Sequence, residues 1–243
     1  MWGSQAASAQ SGVTLNMGAS QYTAGGAAEA GKTALINAGW TIIDGGAIYS
    51  NTNALSFNGS QHINVGEDIN STFQGAFSFS CYIWFNNIDA SFQSFLTSGF
   101  PVQAYIVSGA VQMYLSSTNS SSTETLPTSS TLTAGEWHHV AFTRSGNGAG
   151  SENKIYLNGG VADVTNTSST IIPLSTSPIN IGASTTTPGS TSLYFNGKID
   201  EVMIWNTVLT QGEVQAYANV IGSDSIPDPN SITGLQLWNR MGD

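Results

Sequence analysis

Residues 135–160 constrain the fold of this chain more than any other stretch. Trp137 to Arg144 is rich in β-branched and aromatic residues. As a strand it puts Trp137, His139, Ala141 and Thr143 on one face and His138, Val140 and Phe142 on the other. A breaker cluster at 146–153 separates it from a second short strand, Lys154-Ile155-Tyr156-Leu157. Asn158-Gly159 then supplies the pair of positive φ angles that a tight hairpin turn needs. This stretch is therefore a long antiparallel hairpin followed at once by another turn, so the chain keeps meandering through one sheet.

Other segments follow the same rhythm. Residues 77–85 alternate, with Phe77, Phe79, Cys81, Ile83 and Phe85 on one face and Ser78, Ser80, Tyr82 and Trp84 on the other, as in a half-buried central strand. Short strands are expected at 92–97, 104–107, 111–115, 123–126, 161–164 and 179–181, and a further one at 34–43. The runs 116–122, 165–178 and 184–192 read as surface loops. Thr210 and Glu213 stand at capping-box spacing, which predicts one short helix from Thr210 to about Val220. Residues 1–33 read as an N-terminal arm or loosely structured lead-in, with a short strand near 13–17. Residues 34–222 form the sandwich, and 223–243 a linker and C-terminal strand.

Three motifs carry a resemblance. They are Ala54-Leu55-Ser56-Phe57-Asn58-Gly59 running on to Ile63 and Val65, Gly135-Glu136-Trp137-His138-His139-Val140-Ala141-Phe142-Thr143-Arg144, and Phe195-Asn196-Gly197-Lys198-Ile199-Asp200-Glu201-Val202. Together they resemble the laminin-G-like domains of the concanavalin-A-like class over roughly residues 54–220. The resemblance implies an all-β, antiparallel jelly-roll β-sandwich with one short C-terminal helix, opening on a hairpin at 54–66. Residues 234–243 are similar to the strand that usually begins such a domain. Here they are expected to fill that strand's edge position from the other end of the chain, the alternative being pairing with a neighbouring subunit.

Charged residues are only 8% of the 243, and Ser, Thr, Asn and Gly take their place; hydrophobic residues at 40% still provide a core. Five basic against 15 acidic residues argue against nucleic acid and anionic membranes, which need basic patches. No stretch approaches a membrane span. The single cysteine, Cys81, cannot close an intrachain disulfide and reads as a core thiol. No secretory signal is visible, so synthesis in a cytoplasm is expected.

Catalysis finds little support. His138 and His139 point to opposite faces and cannot share an ion without a bulge; one is expected buried and the other half exposed. Glycoside hydrolysis needs paired carboxylates flanking the scissile bond, whereas Asp200 and Glu201 are adjacent and face opposite ways. The resemblance implies that a calcium ion could involve Asp200, with Asp44 and Glu67 in turns as further candidates; Asp200 as a turn anchor is the competing reading. Tyr105, Tyr114, Tyr194 and Trp2 are candidates for stacking on sugar rings.

The sequence thus points to a non-enzymatic structural or interaction protein of a virus particle, such as a tailed-phage decoration, fibre or appendage subunit, able to bind host-surface glycan. Its partners are expected to be other virion or assembly subunits and carbohydrate, in an oligomer or larger assembly, without nucleic acid or membrane insertion. The alternative is a lectin-like carbohydrate-binding module of a bacterial surface or secreted protein.

Overall fold

A computed structural model describes residues 11–18, 20, 22–23, 27–44, 47–49, 54–66, 68–89, 91–99, 101–117, 123–187, 190–218 and 226–240. By its internal contacts the chain divides into two units, residues 1–52 with 223–231, and residues 53–222 with 232–243.

In the first unit, β1 (Thr14–Asn16) lies parallel to β3 (Thr41–Ile43), with α1 (Ala27–Asn37) between them in sequence. β2 (Tyr22–Thr23) and β19 (Ile226–Pro227) flank β4 (Ala47–Tyr49). The strand expected at 34–43 is therefore a helix for its first part. Ala27, Ala28, Ala30 and Ala34 favour helix, and Gly39, at φ +87°, ends it. The N–H of Trp40 bonds the Leu35 carbonyl at 3.0 Å and that of Gly39 bonds Ile36 at 2.9 Å, the pairing of a Schellman cap. Reading 34–43 as one apolar run overlooked that glycine.

The second unit is a sandwich of antiparallel sheets. β5 (Leu55–Asn58), β7 (Phe77–Phe85), β12 (Trp137–Arg144), β13 (Ser151–Leu157), β14 (Val164–Ser168), β18 (Asn196–Trp205) and β20 (Leu235–Asn239) belong to one sheet, in the order β14-β13-β12-β7-β18-β20 with β5 also on β18. The other sheet has the order β11-β10-β9-β8-β15-β6. It is built from β6 (Ile63–Gly66), β8 (Gln93–Ser98), β9 (Val102–Val107), β10 (Ala110–Ser116), β11 (Thr123–Thr131) and β15 (Ile179–Ile181). The hairpin expected at 54–66 is not one, because β5 and β6 pair in opposite sheets. Within 184–192, expected as a loop, β16 (Ser184–Thr187) and β17 (Ser190–Ser192) pair antiparallel.

The core between the sheets is rich in phenylalanine. Phe77, Phe79, Phe95, Phe142 and Phe195 are inaccessible to solvent, and full burial of each contributes about 1.5–3 kcal/mol. Phe79 and Phe142, one on each of two neighbouring strands, stack at 5.9 Å. Cys81 lies in this core, and burial raises its thiol pKa far above the ordinary value. A second apolar layer lies on the outer face of the seven-stranded sheet, where Ala141, Tyr156, Met203 and Trp205 pack with Leu209, Val214 and Tyr217. The last two come from α2 (Gln211–Ala218). β7 is consequently buried on both faces, not half-buried as its alternation suggests.

α2 begins at the expected capping box. The Thr210 N–H donates to Glu213 Oε2 at 2.6 Å, and the Glu213 N–H donates to Thr210 Oγ1 at 3.2 Å. The Asn158-Gly159 turn has φ +51° and +70°, and α2 rests directly against it. A Cβ on Gly159 would come within 2.6 Å of the Ala218 Cβ. The C-terminal strand pairs within the chain: β20 lies antiparallel to the second half of β18, beyond the stretch that pairs with β5.

Candidate functional site: the outer face of the six-stranded sheet

Alternation and register align the outward side chains of the six-stranded sheet in rows. Val102, Ala104 and Ile106 of β9 and Val111, Met113 and Leu115 of β10 enter the core, so Gln103, Tyr105, Gln112 and Tyr114 face outward. The cross-strand pairs Asn64–Asn180, Asn180–Thr97, Thr97–Gln103, Gln103–Tyr114 and Tyr114–Thr125 then form one continuous row, with a residue from every strand. Ser94, Tyr105, Gln112 and Pro127 form the row beside it. Every side chain in both rows is uncharged.

The face has a covered and an open part. Thr97, Gln103 and Asn180 are at most 2% exposed although they point away from the core. β16 lies against β8, and Ser184 at its start donates from Oγ to Gln103 Oε1 at 2.7 Å. The Tyr105 hydroxyl donates to the same oxygen. Burial, with the Tyr114 phenol nearby, raises the Tyr105 pKa, while the Ser184 contact lowers it less; the phenol stays a donor at any ordinary pH. Toward β10 and β11 the face opens. Gln112 and Tyr114 are half-buried, and Thr125 and Pro127 are exposed. Phe92, at 43% exposure, meets the Tyr105 ring edge-on at 5.4 Å. Aromatic faces beside amides and hydroxyls suit the apolar faces and hydroxyl rims of sugar rings.

Two of the predicted tyrosines, Tyr105 and Tyr114, thus come together. Tyr194 stands apart from Tyr114, with its ring 6.3 Å from that of His62 at the start of the edge strand β6. Trp2 lies outside the described residues. Phe92 was missed because it reads as the first residue of a strand, although it lies just outside β8.

The metal candidates do not assemble among the described residues, where no group of three His, Cys, Asp or Glu could hold an ion. Asp200 Oδ1 accepts the Glu201 N–H at 2.8 Å across a bulge in β18. Asp44 belongs to the first unit and pairs with Lys32 at 2.9 Å; Glu67 lies outside the described residues. His138 and His139 do point to opposite faces, but both are buried, at 4% and 0% exposure. His138 Nε2 is 2.8 Å from the Thr133 carbonyl. His139 Nε2 is 2.7 Å from Ser80 Oγ, a nucleophile–base distance. The pair is closed to solvent, however, and no described group bonds His139 Nδ1. Burial drives the His139 pKa down to about 3, so the ring is neutral.

A groove of about 570 Å³ on the opposite sheet is lined by Thr143, Lys154, Tyr156, Val208, Leu209 and Gln211, among others. Its lysine is held by Glu152 at 2.5 Å, and its tyrosine is 4% exposed. It offers no aromatic face to a ligand.

The family model Laminin_G_3, described as the concanavalin A-like lectin/glucanases superfamily, matches residues 57–215. The chain belongs to this family. Among solved structures, this laminin-G-type chain is similar to a Bacteroides ovatus protein provisionally described as a carbohydrate binding protein (18% identity, TM-score 0.59). That match covers 82% of the chain and 54% of the Bacteroides protein, so the chain spans about half its length. It is also similar to the CBM40 of Ruminococcus gnavus IT-sialidase bound to α2,3 sialyllactose (18% identity, TM-score 0.56, 70% of this chain and 97% of that one). A third is domain 4 of a GH43 extracellular arabinanase from Geobacillus stearothermophilus in complex with arabinotriose (21% identity, TM-score 0.52, 71% and 82%). At these identities the likeness concerns the fold. No curated protein matches.

Proposed function

We infer that this laminin-G-type chain is a non-catalytic, lectin-like carbohydrate-binding module, with its glycan seated on the open part of the six-stranded sheet's outer face. The observation that carries this reading is the pair of uncharged rows that open at Gln112, Tyr114 and Thr125, with the exposed Phe92 set against Tyr105 of the same face. Sandwiches of the same fold bound to sialyllactose and to arabinotriose support it. The placement that follows is extracellular or at a surface; no helix among the described residues is long and apolar enough to cross a membrane. The low charge and the Ser/Thr/Asn/Gly-rich composition favour a second reading, a virion appendage or decoration subunit in a larger assembly, which would dock on host glycan through the same face.

Binding to a glycan panel, followed by isothermal titration of the best ligand, tests the module. Tyr114→Ala and Gln112→Ala should each weaken binding about tenfold, the equivalent of about 1.4 kcal/mol, with the thermal melt unchanged because both side chains are half-exposed. Unaltered affinity in both variants removes the face from consideration. Mass spectrometry of purified particles decides the virion reading.

A further inference from the structure

We propose that the glycan taken by this face is neutral, and that acidic sugars (sialic acids, uronic acids, sulfated units) are excluded; this rests on the carbohydrate-binding reading above. The argument comes from where the chain's cations are. It has five Lys and Arg in all, every one among the described residues, and none is on the six-stranded sheet.

Arg144 points into the core end of the sandwich at 0% exposure, its Nη1 on Asn153 Oδ1 at 2.8 Å and its Nη2 on the Thr170 carbonyl at 2.5 Å. Lys154 is on the other sheet, against Glu152. Lys198 stands over the Trp84 ring at 5.3 Å, also on the other sheet. Arg240 follows β20, with its Nε 3.7 Å from Glu201. Lys32 belongs to the first unit and is paired with Asp44. His62 sits at the start of β6, and β15, β8 and β9 separate that strand from Tyr114 on β10.

Among the described residues, a carboxylate or sulfate bound on this face would thus lose water and meet only neutral amides and hydroxyls. Anion sites usually provide a cation or a charge-assisted bond. The formal charge of −10 adds repulsion before contact. A neutral sugar meets no such penalty, because amide and hydroxyl groups exchange hydrogen bonds with its hydroxyls on equal terms. The covered part of the face also limits length. From β9 to β11 the open floor is two strand spacings, about 10 Å, room for a short segment and not for a chain laid across the whole sheet.

Matched ligand pairs test this with the full chain. Galactotriose against trigalacturonate, and lactose against 3′-sialyllactose, differ in the acidic group or the acidic sugar; arabinotriose and xylotriose extend the neutral set. Titration calorimetry at low and high salt should show a neutral glycan bound, its acidic counterpart at least about tenfold weaker, and little effect of salt on the neutral affinity. Gln112→Lys should narrow the gap by strengthening the acidic ligand at low salt only. An acidic member bound more tightly than its neutral partner, with affinity falling in salt, overturns the proposal while leaving a binding module in place. Absence of binding to every member of both sets overturns the module reading, and this inference with it.

Discussion

Glu201 accepts the indole N–H of Trp238 on its Oε2 at 2.5 Å, which ties the C-terminal strand to β18. Glu201 is 2% exposed and has φ +47°, the left-handed region that non-glycine residues seldom occupy. It stands in the bulge that interrupts β18 between its pairing with β5 and its pairing with β20. Asp200 supports that bulge by bonding the Glu201 N–H. The Asp-Glu pair that draws attention as chemistry in the sequence therefore positions a strand.

Trp238→Ala removes one of the donors to a buried carboxylate. It should lower stability by about 1.5–3 kcal/mol, as for other hydrogen bonds to charged groups, in urea denaturation. Deleting residues 232–243 should cost more, since it also exposes the edge of β18. Unfolding midpoints equal to that of the full chain would show that β20 contributes nothing to the sandwich.

Asp200→Asn keeps an acceptor facing the Glu201 N–H. Its effect should therefore stay within about 1 kcal/mol. Because Asp200 Oδ1 already serves the backbone and Asp44 serves Lys32, we expect chelator to leave the melting temperature unchanged in both forms. A melt that falls with chelator and recovers with added calcium, by mass action, would restore the ion.

Burial holds the His139 pKa near 3 in the folded chain, against about 6.5 in the unfolded one. Between these values the unfolded state binds the extra proton. The stability contribution is thus complete above about pH 6.5 and declines as pH falls toward 3. From pH 7.5 to pH 5 the loss should be about 2 kcal/mol, read as a falling urea midpoint. His139→Gln should flatten that slope at some cost to stability at neutral pH. An equal slope in both proteins would assign the acid sensitivity elsewhere.

Gly197, the glycine of the closing motif, lies where β18 passes β7. A Cβ there would be 2.0 Å from the Trp84 carbonyl oxygen and 2.7 Å from the Phe85 Cα. Backbone atoms cannot give way as a flexible side chain can. Gly197→Ala should therefore cost at least about 3 kcal/mol in a thermal or urea melt. A melt near wild type would mean that the two strands separate more easily than their hydrogen bonding suggests.

Where structure follows from local periodicity, the sequence alone determined it. The alternation of 77–85 and 137–144, the Asn158-Gly159 turn and the Thr210–Glu213 box each need only neighbouring residues, and the strands, turn and helix start appear where these signals stand. The motifs at 54–66, 135–144 and 195–202 also carried the sandwich class. Other features depended on packing. An apolar run at 34–43 satisfies a helix as well as a strand until Gly39 caps it, and β5 and β6 look like a hairpin until each finds its partner in a different sheet. β7 alternates like a half-exposed strand because nothing local reveals that α2 covers its polar face. The candidate site belongs to this second group. Tyr105 and Tyr114 are two of several aromatic candidates in separate short strands, and Gln103, Gln112 and Phe92 carry no local signal of their own. Only strand order and register place them on one surface, because pairing between strands is a long-range choice made by the whole core.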